Sequence, residues 1–139
     1  MHFAMRWRSW ILGVLFLIAC GRKAPPPVFA PTVADTWRLR MAQSFPPDSA
    51  PEFIGKQRVR TWWRASYEGP GSMTVELYEL AAPAAGLDLV QRWRPVADTV
   101  VWYTPRYFVV VKWQSPDRSA VAAFIRALQK QFAEEKEDK

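Results

Sequence analysis

Histidine, cysteine and asparagine are almost or wholly missing from this 139-residue chain. The single histidine is His2, the single cysteine is Cys20, and asparagine does not occur. Beyond residue 20, this excludes cysteine-ligated zinc, a cysteine or histidine nucleophile, haem ligation by histidine and a disulfide framework. Without asparagine the chain has no N-glycosylation sequon. We therefore expect neither a metal site nor a cofactor.

The composition is that of a globular protein with a mild positive charge. Apolar residues make up 50% of the chain and aromatic residues 14%, and the length favours one domain. The net charge is +6; without Arg6 and Arg8, 17 basic residues stand against 13 acidic ones, which leaves +4. That excess suits an anionic surface such as lipid headgroups or cell-wall polymer. It is too weak for a nucleic-acid-binding face, so we expect no nucleic-acid partner.

The amino terminus has the layout of a secretory signal. Arg6 and Arg8 precede an uninterrupted apolar run over residues 11–18, and no acidic residue occurs before them. A membrane-spanning helix needs roughly 20 apolar residues, so this run is too short to cross a bilayer. We predict that residues 1–19 form a signal peptide.

The end of this segment, Leu-Ile-Ala-Cys at residues 17–20, resembles the lipobox of bacterial lipoproteins. The resemblance implies that Cys20 is the lipid-modified first residue of the mature protein, carrying diacylglyceryl and palmitate chains. Two or more acyl chains make anchoring effectively permanent. Gly21 in the next position implies sorting to the outer membrane, facing the periplasm. The alternative is that Cys20 is an ordinary buried cysteine at the end of a signal anchor.

The segment after Cys20 changes composition and reads as a spacer. Four prolines lie between residues 25 and 31, and the segment has no apolar period. We predict a lipidated, proline-rich tether over residues 20–34, one folded domain over residues 35–133, and a charged, disordered tail over residues 134–139.

The first clear secondary structure is a hairpin. Residues 57–67 alternate so that one face carries Val59, Thr61, Trp63, Ala65 and Tyr67, and the other carries Arg58, Arg60, Trp62, Arg64 and Ser66. We assign the first set to the core and the second to solvent. A turn over residues 68–72 returns the chain through residues 73–80. The resulting register pairs Tyr67 with Met73, Ala65 with Val75, Trp63 with Leu77, Arg64 with Glu76 and Trp62 with Tyr78.

Two helices and a second hairpin follow. Residues 83–94 show the apolar stripe Gly86, Leu89, Val90, Trp93, and Asp88 lies four residues before Arg92. Residues 99–104 and 107–113 form a hairpin that is apolar on both faces, which suggests either cover on two sides or one face kept for a partner. Ser115 is the expected N-cap of the last helix, whose stripe is Val121, Phe124, Ile125, Leu128 and Phe132.

These elements predict an α+β fold. We expect an antiparallel sheet of two β-hairpins with two helices packed on one face, in ββαββα order. A short extra strand over residues 37–41 is an open alternative. With its lipobox, proline tether, Tyr-Glu-Gly-Pro turn, Val-Glu-Leu-Tyr-Glu strand and Gln-Arg-Trp-Arg-Pro helix end, the chain resembles small uncharacterised envelope lipoproteins of bacteria. That resemblance implies a location and no chemistry.

The sequence shows no convincing set of residues spaced for catalysis, so we predict that the protein is not an enzyme. Glu76 and Glu79 are three apart on one strand and point to opposite faces, so they cannot act as an acid and base pair. The alternative is an unusual carboxylate-dependent periplasmic hydrolase that uses Glu79 or Asp98 in a pocket. Against it, we expect Glu79 to lie at the sheet rim.

The best candidate binding face is Arg58, Arg60, Trp62 and Arg64, with Lys56 leading the ladder. Arginine and tryptophan on one sheet face can stack on sugars or bind carboxylates and phosphates. The competing interpretation is a solvated strand face whose arginines pair with acids such as Glu76. The sequence thus predicts a membrane-tethered, non-catalytic binding or interaction module that meets an envelope protein or an anionic polymer.

Overall fold

The computed structural model describes residues 26–134. The predicted signal peptide, Cys20, the first part of the tether up to residue 25 and nearly all of the charged tail lie outside this range. The described chain forms a six-stranded antiparallel half-barrel sheet with two α-helices, which confirms the α+β class. Strand bounds are β1 Thr32–Val33, β2 Trp37–Phe45, β3 Val59–Glu68, β4 Ser72–Leu80, β5 Thr99–Tyr103 and β6 Tyr107–Gln114. Helix bounds are α1 Ala84–Arg92 and α2 Arg118–Glu134.

The strand order across the sheet is β1-β2-β3-β4-β6-β5. Two strands therefore precede the predicted hairpin, and β2 has nine residues in place of the short strand that the sequence suggested. The alternation of β2 is interrupted by a register shift between Leu39 and Met41. Such an irregularity hides a strand from a search for period two.

The β3–β4 hairpin has the predicted register. The five predicted pairs, from Trp62 with Tyr78 to Tyr67 with Met73, all occur. The strands run further toward the turn than expected, because Glu68 also pairs with Ser72. The turn is thus the three residues between them. Arg40 Nε lies 2.9 Å from a Glu68 carboxylate oxygen and joins β2 to this end of the hairpin.

The prediction that both helices pack on one face is wrong, because each covers a different face of the sheet. The α2 side holds a core that includes Tyr67, Val109 and Phe124. The α1 side holds a second core that includes Trp62, Tyr78 and Leu89. Consecutive buried residues in β6, from Tyr107 to Val111, face both cores in turn. A strand that is apolar on both faces needs a layer on each side.

Parts of the predicted faces and caps also need correction. Val59 belongs to the α1-side core and not to the face of Ala65, because a register shift between Val59 and Thr61 changes the alternation. Trp62, expected on the solvent side, is buried. Asp117 rather than Ser115 caps α2, since its carboxylate accepts from the Ala120 N–H at 3.0 Å.

The core extends into the predicted tether. Phe29 and Val33 are buried against the α2-side core, and Tyr67 donates a hydrogen bond to the Ala30 carbonyl oxygen at 3.0 Å. Trp37, at the start of β2, is fully buried. Residues 29–33 are therefore packed against the domain, which shortens any spacer between it and Cys20.

Candidate functional site

The α1 side of the sheet is apolar at one end and polar at the other. Strand register and alternation place one set of largely polar side chains on the part of this face beyond the second core. We call this set the open face: Met41, Gln43, Arg64, Ser66, Thr74, Glu76, Thr99 and Lys112. Met41, Gln43, Arg64 and Lys112 are exposed. The open face is thus a solvent-accessible surface on rigid strands.

A stack of three aromatic rings borders the open face. The Phe45 and Trp62 rings are stacked with centroids 4.3 Å apart, and Trp62 and Tyr78 follow at 5.2 Å. A short 3-10 helix, Pro47–Ser49, lies beside them, and the Trp62 indole N–H donates to Ser49 Oγ at 3.1 Å. We call Phe45, Trp62 and Tyr78 the aromatic shelf. Its hydrogen bond and stacking fix the Trp62 ring in one orientation.

Arg64 lies on this shelf. Its guanidinium carbon is 5.4 Å from the Phe45 ring centroid and 5.2 Å from that of Trp62. These distances are those of a cation–π contact, which holds the planar group without occupying its hydrogen-bond donors. Among residues 26–134, no carboxylate forms an ion pair with Arg64. The donors of an exposed, oriented guanidinium therefore face solvent.

Glu76 is the buried acid of this face, at 7% exposure. It lies opposite Arg64 as predicted, but its carboxylate accepts hydrogen bonds from the Tyr78 hydroxyl and, at 3.2 Å, from Lys112 Nζ. Burial first, and then the hydrogen bond to Glu76, raises the pKa of Tyr78. The phenol therefore remains a donor. Because these partners occupy Glu76, the predicted pairing of Arg64 with this carboxylate does not form.

The predicted binding ladder is divided by the structure. Arg58 is tied to α1, with its guanidinium 3.2 Å from Asp88 and 3.4 Å from the Ile54 carbonyl oxygen. Trp62 is buried and cannot stack on a sugar. Arg60 is exposed, as is Arg64. Of the four residues, only Arg64 combines exposure with a fixed aromatic support.

The carboxylates of the alternative hydrolase lie far apart. Glu79 sits beside Tyr107 at one end of β6, and its side chain, 16% exposed, pairs with Arg106 at 2.9 Å. It is thus less exposed than we expected at the rim. Asp98 lies beside Trp113 at the other end, about 20 Å away at the rise of a β-strand. Nowhere in residues 26–134 do three or more His, Cys, Asp or Glu side chains gather as for a metal ion.

Sequence reasoning missed Phe45, Tyr78 and Lys112 as parts of this site. Phe45 lies in the β2 extension, and Lys112 meets Glu76 through the β4–β6 pairing. The predicted register did place Tyr78 opposite Trp62, but both were assigned to solvent. Two aromatic residues facing each other beside an arginine were the signal that could have indicated a shelf.

The chain matches no protein-family profile, no curated protein and no solved structure at a significant level. Within residues 26–134, neither α-helix has the length and apolar character needed to cross a bilayer.

Proposed function

We propose that this protein is a lipid-anchored cell-envelope protein that binds an anionic partner through the open face and does no chemistry. The observation that carries the proposal is Arg64, whose exposed guanidinium lies over the Phe45 and Trp62 rings of the aromatic shelf without an acidic partner among the described residues. The anchor is proposed on the lipobox at residues 17–20. An envelope polymer or protein bearing carboxylates or phosphates fits this site.

The chemistry favours an oxygen-rich anion. A guanidinium presents parallel N–H donors that match a carboxylate or phosphate in a bidentate arrangement. Because the shelf already orders the Arg64 side chain, binding costs less side-chain entropy than it would for a free arginine. Lys112 lies on the same face but pairs with Glu76, so the net positive charge there comes from Arg64. The Ser66 and Thr74 hydroxyls lie opposite each other one step along the same face. The set recognises an anion with neighbouring hydroxyl groups, as in a cell-wall polymer.

Arg64→Ala should weaken binding of the full chain to isolated peptidoglycan sacculi, measured by co-sedimentation in neutral detergent. Hydrogen bonds to a charged group are worth about 1.5–3 kcal/mol, so we expect a loss of roughly 10- to 100-fold. Arg64→Lys should recover only part of it, because an ammonium lacks the planar fork.

Arg60→Ala is the matched control, since Arg60 is an exposed arginine of the same strand that has no shelf. It removes the same charge and should change binding less than about twofold. Circular dichroism should report an unchanged fold for both variants. Equal losses for the two substitutions would show that general charge drives binding, and retained binding by Arg64→Ala would refute the proposed site.

A further inference from the structure

The two edges of the sheet differ sharply. On one side the edge strand is β1, which has only two residues and follows Pro31. On the other side the edge strand is β5, whose sequence Thr-Val-Val-Trp-Tyr contains no charge and no proline. Its register with β6 is regular throughout. Natural proteins usually protect an edge with short strands, charges, prolines or bulges, and β5 has only its modest length.

The backbone groups on this free edge can be assigned. The Trp113 N–H donates to the Asp98 carbonyl oxygen at 3.1 Å, and the Thr104 N–H donates to the Tyr107 carbonyl oxygen at 2.7 Å. Even-numbered residues of this segment therefore direct their backbone groups toward β6. Because the direction alternates along an antiparallel strand, Thr99, Val101 and Tyr103 direct their N–H and C=O groups outward. No strand within residues 26–134 pairs with that side of β5.

We infer that two copies of this chain associate through antiparallel pairing of their β5 strands, in a two-fold register centred on Val101. In this register Val101 meets Val101 of the second copy, and Thr99 meets Tyr103. Each of these is a pair of residues whose backbone groups point outward, so about six hydrogen bonds form and every outward group of the strand is used. A closed two-fold contact of this kind uses the same patch on both copies.

The side chains favour a second copy of the same strand. Val100 meets Trp102 on the α2 side, and Val101 meets Val101 on the α1 side, so half-buried apolar surface becomes covered on both faces. The strand has no charge to repel its own copy. A strand that carries charges would place them against Val100, Val101 or Trp102 without partners.

The contact leaves the monomer's own packing intact. Gly86 of α1 packs closely on the Tyr103 side chain, which by strand alternation lies on the same side as Val101. Thr99 belongs to both surfaces, but the pairing uses its backbone, and Arg64 lies on β3, which β4 and β6 separate from β5. A failure of the Arg64 experiment and a failure of this pairing are therefore separate results.

Sedimentation equilibrium of the full chain in density-matched detergent tests the inference, together with amide hydrogen exchange. We expect a protein mass twice that of the chain, and we expect exchange at Thr99, Val101 and Tyr103 to slow as concentration rises. Val101→Pro removes an outward N–H, which an edge strand tolerates, along with a side chain that packs on the α1-side core, and should weaken dimerisation by about tenfold or more. Val101→Ala trims the side chain but keeps that N–H, so it should dimerise.

Circular dichroism must show that Val101→Pro is folded. As a second variant, Val101→Lys sets like charges face to face and should weaken dimerisation at least as much. A monomer at all concentrations would overturn the inference. So would a dimer whose three outward amides exchange freely, or one whose affinity is unchanged in both folded variants, since the copies would then meet elsewhere.

Discussion

Trp37→Ala should lower the free energy of unfolding by about 3–5 kcal/mol, the usual cost of truncating a fully buried tryptophan. Trp37 has no exposed surface, its ring packs edge-on against Phe124 at 5.8 Å, and its indole N–H donates to the Ala120 carbonyl oxygen at 3.1 Å. The substitution therefore removes the contact that joins the start of β2 to α2. It also leaves the Ala120 carbonyl without this donor.

Urea titration of the full chain, followed by circular dichroism, measures this loss. Met41→Ala is the matched control, because Met41 lies in the same strand but is 58% exposed. It should change stability by less than about 0.5 kcal/mol. A Trp37→Ala protein as stable as Met41→Ala would contradict the packing of β2 against α2.

Stability should fall steeply above pH 10, because two buried tyrosines resist ionisation in the folded protein. Burial raises the pKa of Tyr67 to about 12, and that of Tyr78 is also raised. In the unfolded chain a tyrosine titrates near pH 10. Above that pH the unfolded state loses phenol protons that the folded state keeps, so rising pH favours unfolding. The stabilisation is complete below pH 10 and disappears as the pH passes through the folded-state pKa.

Each such tyrosine should contribute a slope of about 1.4 kcal/mol per pH unit between its two pKa values. Urea titrations from pH 8 to 11.5 on the wild type and Tyr67→Phe measure the contribution of Tyr67. Above pH 10, the slope of unfolding free energy against pH should differ between the two proteins by about that amount, and below pH 9 the slopes should agree. Loss of the hydrogen bond from Tyr67 to Ala30 lowers stability by the same amount at every pH below 9, so it does not change the slope there. Parallel slopes at every pH would contradict the burial of this phenol.

The sequence predicted correctly those parts of the fold in which the apolar pattern and the pairing of neighbouring elements point to the same arrangement. In the β3–β4 hairpin, a short turn fixed the register, and complementary pairs on both faces supported it. The stripes of α1 and α2 and the Asp88–Arg92 ion pair, at 2.9 Å, follow from helical spacing and are confirmed. These features depend on residues close in sequence.

The placement of the two helices on opposite faces of the sheet could not be predicted from the sequence. Which face each helix covers depends on the path of the chain between strands, which periodicity does not encode. The run from Phe108 to Val111 did indicate cover on two sides, and that indication contradicted the prediction of helices on one face. The irregularities beside Thr61 and Met41 changed which residues share a face, and no residue type marks them.

The candidate site was predictable in its chemistry and not in its geometry. Arg64 and its register partner Glu76 came from the hairpin, but the contact that neutralises Glu76 comes from Lys112, 36 residues away. The burial of Trp62 depends on the segment around Ser49 that folds over it. Contacts between residues so far apart in sequence form only in the folded sheet. Of the four residues predicted as a binding face, Arg64 alone is therefore both exposed and supported by aromatic rings.

Intact-mass spectrometry of the protein extracted from labelled cells tests the central claim, that the protein is anchored in the envelope by lipid on Cys20, most directly. Cells fed labelled palmitate should yield a chain that begins at Cys20, lacks residues 1–19 and carries acyl label, and Cys20→Ser should abolish the label. A chain that retains Met1 with the Cys20 sulfur unmodified would contradict the account.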